Sequence, residues 1–166
     1  MVFCGAKWEA KARKTMFRGI STLNLDEKGR LSLPLRYREK FIDLSMSVIV
    51  TIDTVDQCLL LYTLEEWESI EKKIEQLPAF EPAVRRVQRL LIGHATEIAL
   101  DNNFRILLPP ELRLYAGLQK QVKLVGQGRK FEIWNSDLWD NKRLEWLHSA
   151  ASEQSFLPPA LQEISL

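Results

Sequence analysis

Apolar and polar residues alternate along "ISTLNL" (Ile20 to Leu25) and again along "ATEIAL" (Ala95 to Leu100). A period of two is the pattern of a half-buried strand. After each stretch comes a charged turn and a short apolar run, "RLSL" or "RILL", so both places predict a strand, a tight turn and a second strand. Pro34 and Pro109 then open helical stretches, "LRYREKFI" and "PELRLYAG", because proline suits the start of a helix, and Gly117 can end the second. Next, "SVIVTID" with "QCLLLY" and "QVKLVG" with "KFEIW" read as hairpins joined by turn-forming residues.

A longer helix is predicted after each hairpin. In the first, Thr63 and Glu66 make a capping box, Leu64, Trp67, Ile70, Ile74 and Leu77 form one apolar stripe, and Glu68 with Lys72 supports the outer face. Glu81 and Pro82 begin a connecting helix, "AVRRVQRLLIGHA", with Val84, Val87 and Leu91 inward and Arg85 and Arg89 opposite. Those arginines fit a solvated face, or a subunit interface with acids such as those after Thr63. The C-terminal "SFLPPALQEISL" is broken by prolines and reads as an arm or loose tail.

The pattern occurs twice. Setting Asp26 on Asp101 also pairs Leu25 with Leu100, Arg30 with Arg105, Pro34 with Pro109 and Arg38 with Arg113. Further on, Tyr62 pairs with Trp134 and Trp67 with Trp139, at an offset shorter by three residues. The second copy has lost those residues in a connecting turn. Two β-rich repeats folded together in one chain are therefore expected.

Composition narrows the function classes. Of 166 residues, 46% are hydrophobic and 27% charged, as in a soluble globular protein. No apolar run reaches the roughly 20 residues that span a bilayer, and the start lacks the apolar region of a secretory signal. No membrane role is expected. Of 23 basic and 22 acidic side chains, four and one lie in residues 1–15, leaving 19 and 21 in the remainder. DNA binding by so neutral a body must come from local clusters or repetition across subunits.

The first turn, "DEKGR", brings Lys28 and Arg30 together, with Asp26 able to accept turn amides and Gly29 free to take a positive φ. One copy alone would fit an ordinary hairpin with a local Asp–Arg pair. With its flanks "MFRGISTLNLDEKGRLSLPLRYREKF" and "RRVQRLLIGHATEIALDNNFRILLPPELR", the chain over residues 16–166 strongly resembles the MraZ family of bacterial transcription regulators. The resemblance implies an α+β fold: two tandem AbrB/SpoVT-like swapped-hairpin β-barrel repeats forming an intrachain pseudo-dimer, with flanking helices. It also implies a cytoplasmic, nucleoid-associated homo-oligomeric ring that binds double-stranded promoter DNA. The expected role is repression of a division and cell-wall gene cluster that includes the protein's own gene.

The resemblance sets the domains as a disordered extension at 1–15, a first repeat with its helix at 16–80, a connecting helix at 81–93, a second repeat at 94–148 and a tail at 149–166. It puts the key DNA-contacting arginine at Arg30, with Lys28 beside it. Arginine suits bidentate contact with guanine and lysine suits phosphate. Arg18 is a further phosphate contact or an exposed strand-edge residue. In the second turn Asn103 and Phe104 replace Lys28 and Gly29, so Arg105 is its sole cation. The first turn is expected to lead in DNA contact, with Asp26, Gly29 and Asp101 shaping the turns and Arg105 mainly structural.

Signals for enzymes are thin. His94 and His148 stand alone, no serine lies in a G-x-S-x-G elbow, and "GQGRKF" falls between two strands, so it is not a nucleotide loop. Asp26 and Asp101 each have an arginine four residues on, which keeps both ionised. Cys4 and Cys58 read as ordinary thiols, without metal-ligand spacing. No metal, cofactor or small-molecule substrate is expected. The competing reading is a ring-forming protein scaffold that does not bind specific DNA; a relative of swapped-hairpin antitoxins would need a toxin-binding tail.

Overall fold

The computed structural model describes residues 16–152 and 158–164. It divides into two units, residues 1–136 and 137–166. Residues 1–15, read from the sequence as an extension, lie outside the described residues.

In the larger unit both halves of the sequence build the same strand, strand, helix, strand, strand series, and the first adds a helix after it. The first has strands β1 (Phe17–Asn24) and β2 (Arg30–Ser32), helix α1 (Leu35–Ile42), strands β3 (Ser47–Ile52) and β4 (Leu59–Thr63), and helix α2 (Leu64–Glu75). The second has β5 (Thr96–Ala99), β6 (Arg105–Leu107), helix α4 (Pro110–Tyr115), β7 (Gln121–Gly128) and β8 (Lys130–Asn135). Between them lie helix α3 (Pro82–Val87) and a π-helical segment (Gln88–Ile92). The three-residue shortening falls at the β7–β8 hairpin, where Arg129 alone separates the strands.

The halves are joined by strand pairing. Six strands form an antiparallel sheet in the order β1-β7-β8-β4-β3-β5. Exchanging each strand for its counterpart in the other half reverses this order onto itself. β1 of the first half pairs with β7 of the second, from Phe17↔Gly128 to Asn24↔Gln121, and β5 of the second pairs with β3 of the first. β2 and β6 form a separate antiparallel ribbon. The expected barrel is not closed: the six-stranded ladder ends at β1 and β5, and the ribbon pairs apart from it. Its strands are only three residues each, long enough to pair with one another and too short to carry the ladder round.

The core crosses the halves as the sheet does. Phe17 of β1 lies tilted 4.3 Å from Phe131 of β8 and stacks 5.7 Å from Phe41 of α1, and Tyr37 of α1 meets Phe131 edge-on at 4.8 Å, all between ring centroids. Leu31 and Leu33 are fully buried, as are their counterparts Ile106 and Leu108. Such burial is worth roughly 1.5–3 kcal/mol per side chain.

Some helical expectations are corrected. Thr63 Oγ1 accepts from Glu66 N at 3.3 Å, but the Glu66 carboxylate pairs with Arg129 at 3.5 Å and not with the cap. Helix α2 ends at Glu75, so Leu77 lies past the stripe and is exposed. Glu68 and Lys72 are not paired among the described ion pairs; Trp67 Nε1 donates to Glu71 across the same turn. The connecting helix is not continuous α-helix: after Val87 it widens into the π segment, whose Leu91 carbonyl accepts from buried Thr51 Oγ1 at 2.6 Å. Val84 is buried, Val87 and Leu91 are half-buried, and Arg85 and Arg89 are exposed.

Helix α5 (Ser136–Ser152) belongs to the C-terminal unit from Asp137 onward; it holds Trp139 and Trp146 with ring centroids 5.7 Å apart and pairs Lys142 with Glu145 at 3.3 Å. Pro158 opens a single-turn helix α6 (Pro159–Gln162). Among the described residues, no helix is long and apolar enough to cross a membrane.

Candidate nucleic-acid interface

The first turn is organised by one carboxylate. Asp26 Oδ1 accepts from the backbone N–H of Lys28 at 2.9 Å and of Arg30 at 2.8 Å, while Oδ2 accepts from Arg30 Nε at 2.5 Å. Two backbone bonds close the loop, Asp26 N to Arg30 O and Gly29 N to Asp26 O, both 3.0 Å. Gly29 has φ +84°, in the left-handed region open to glycine at little cost.

The second turn repeats this geometry. Asp101 Oδ1 accepts from Asn103 N at 2.8 Å and Arg105 N at 2.9 Å, and Oδ2 from Arg105 Nε at 2.7 Å. Phe104 takes the glycine's place at φ +56°, a conformation an aromatic residue seldom adopts. Its ring is half-buried against the core, which offsets the backbone cost.

Each aspartate is held ionised by its own turn. The Arg30 backbone N–H is the largest cause, with the Arg30 side chain and Lys28 N–H acting the same way against partial desolvation, and the Asp26 carboxyl lies below its ordinary 3.8. Asp101 is lowered from 3.8 by the matching groups of Arg105 and Asn103.

The ribbon brings the two arginines onto one face. Its register places Arg30 opposite Leu107 and Ser32 opposite Arg105, with Leu31 opposite Ile106. Side chains alternate across a strand. Burial of Leu31 and Ile106 therefore turns Arg30, Ser32, Arg105 and Leu107 outward together. Both guanidinium groups are tethered through Nε, and neither has another hydrogen-bond partner among the described residues. Lys28 is exposed at the first turn.

Arg18 is not part of this cluster. It is exposed near the start of β1, opposite Gln127, whereas the turn follows the other end of the strand. Six steps of about 3.3 Å put Arg18 roughly 20 Å from Asn24 along the strand.

Two features were not read from the sequence. Arg38 and Arg113, matched by the repeat, each reach across to the opposite half's turn; that matching was the signal. The other is a polar cluster of Asp53, Cys58 and Glu132, whose ligand-type atoms lie within 4.8 Å of one another. Burial, then the Glu132, Asp53 and Asp56 carboxylates, push the Cys58 thiol up, so it stays protonated and donates to Asp53 Oδ2 at 3.8 Å. Glu132 accepts from Trp134 Nε1 at 2.8 Å and faces Lys130 at 3.9 Å. Asp53 also accepts from Val55 N at 2.8 Å, so both carboxylates have donors within the chain.

Fold and site together define a two-repeat α+β protein whose halves share one sheet and present paired arginine turns on a β-ribbon. A family model described as "MraZ protein, putative antitoxin-like" matches the chain twice, over residues 16–90 and 91–156. "Transcriptional regulator MraZ" of Halorhodospira halophila (strain DSM 244 / SL1) is 50% identical over 152 residues, covering 91% of this chain and all of the relative. The protein of the same name from Coxiella burnetii (strain RSA 493 / Nine Mile phase I) is 51% identical, and that from Legionella pneumophila (strain Paris) 50%, with the same coverage. The chain belongs to the MraZ family. Its relatives are named for the regulation of transcription, not for an enzymatic reaction.

Proposed function

We propose that this protein is a transcriptional regulator that reads promoter DNA through the outer face of its β2–β6 ribbon. The observation that carries this reading is the joint outward placement of Arg30 and Arg105, each tethered at Nε by an aspartate. A two-stranded ribbon fits the major groove, and a guanidinium held in one orientation loses less freedom when it meets a guanine. Arg30 reads a base edge, Lys28 meets phosphate, and Arg105 acts second because its turn lacks a neighbouring lysine. Asp26, Gly29 and Asp101 shape the turns. Arg18, distant from the ribbon, serves at most as a peripheral phosphate contact.

The exchange of β1 and β5 between halves supports the swapped-hairpin reading, in which one chain plays the part of a dimer. One ribbon on a near-neutral body binds weakly. A homo-oligomeric ring presenting several ribbons to repeated sites gains affinity through effective concentration. The proposed target is the division and cell-wall gene cluster containing the protein's own gene, repressed in the cytoplasm at the nucleoid.

The test is binding to DNA from upstream of that gene at two salt concentrations. Lys28→Ala should weaken binding to native and scrambled fragments alike and flatten the salt dependence by about one phosphate contact. Salt-insensitive binding, or none, with assembly intact would leave a protein scaffold as the function.

A further inference from the structure

Arg113 belongs to the second half of the chain, yet its guanidinium rests on the first turn. A Cβ built on Gly29 would stand 2.5 Å from Arg113 Cζ and 2.7 Å from both Nε and Nη1. The guanidinium thus fills the space that any side chain at position 29 would need, and Gly29 is buried beneath it. Two hydrogen bonds complete a circuit: Gly29 O accepts from Leu108 N at 3.1 Å, and Leu108 O accepts from Arg113 Nε at 3.1 Å.

The second turn carries the same circuit with the halves exchanged. Phe104 O accepts from Leu33 N at 2.9 Å, Leu33 O accepts from Arg38 Nε at 3.2 Å, and the Arg38 guanidinium lies 5.2 Å from the Phe104 ring centroid. The difference lies in what separates arginine from turn. At Phe104 an aromatic ring intervenes; at Gly29 nothing does.

We propose that Arg113 is a positioning residue for the first turn, a planar clamp supplied by the other half that fixes Gly29 and so sets the direction in which the Asp26–Arg30 pair aims. Its effect on DNA rests on the function proposed above; its effect on the turn does not. Charge alone is insufficient for this role. A lysine lacks both the plane that lies on the glycine and the Nε–H that bonds Leu108.

The experiment compares the full-length protein with Arg113→Ala and Arg113→Lys in two measurements. Without DNA, amide hydrogen exchange at Lys28, Gly29 and Arg30 should quicken about tenfold in both variants while exchange in β7 and β8 is unchanged. With DNA, both should lose about tenfold in affinity for the native fragment, with the wild-type salt dependence retained. Wild-type exchange at the turn in either variant overturns the proposal. So does binding restored by Arg113→Lys, or a salt slope reduced by about one contact, since either would make Arg113 a charge that meets DNA itself. Should wild-type protein show no preference for the native fragment, the DNA reading fails and the exchange result alone decides the clamp.

Discussion

Asp26 determines what the first turn can do, because one carboxylate satisfies two turn amides and orients the Arg30 side chain. Its pKa is depressed, so the stability it contributes is fully present above 3.8 and is lost as pH falls through the lower, folded value. Asp26→Asn should quicken amide exchange in the turn at neutral pH and remove its further acid-dependent rise below pH 3.8, with the rest of the fold intact; an unchanged acid profile would mean the carboxylate does not hold the turn. Gly29→Ala faces both a positive φ and the Arg113 guanidinium. A loss of about 1–2 kcal/mol in urea unfolding is expected from the backbone alone. The Asp and Gly were legible in the sequence because turn chemistry is local. Arg38 and Arg113 were not, because their partners lie in the other half and nothing in a linear motif says which turn an arginine will reach.

At the level of elements, the ribbon depends on two side chains. Leu31 and Ile106 face each other in register and are fully buried. Leu31→Ala should cost about 2–5 kcal/mol and loosen both turns together, since they leave the same three-residue ladder. Loss confined to the first turn, seen by amide exchange, would show that the ribbon is not one unit. The strands and most helices could be read from periodicity, as could the cap at Thr63. The π segment could not, because its apolar spacing is compatible with a plain helix and the Thr51 bond to Leu91 comes from a distant strand. Leu77 fell outside the stripe for a simpler reason: Pro78 follows it, and the residue before a proline is pushed out of helical geometry.

For the larger unit, the palindromic strand order has a direct consequence. A sequence repeat says that two segments are alike, not whether each pairs with itself or with the other. Here β1, β2 and β5 all pair across the halves. Residues 16–90 alone therefore lack partners for β1 and β2, and sedimentation with circular dichroism should find them unfolded or self-paired. A stable folded monomer would contradict the exchange. The near-neutral charge of the chain says nothing of this arrangement, since Arg30 and Arg105 share a face only after the halves have folded together.

The first measurement to make is a titration of labelled upstream DNA and a scrambled control with wild-type protein and Arg30→Ala, with the oligomeric state of both recorded. Wild type should prefer the native fragment, and the variant should lose that preference by roughly 10- to 100-fold while assembling normally. Equal binding by the two proteins, or loss of assembly in Arg30→Ala, would show that Arg30 serves the scaffold and that the ribbon does not read DNA.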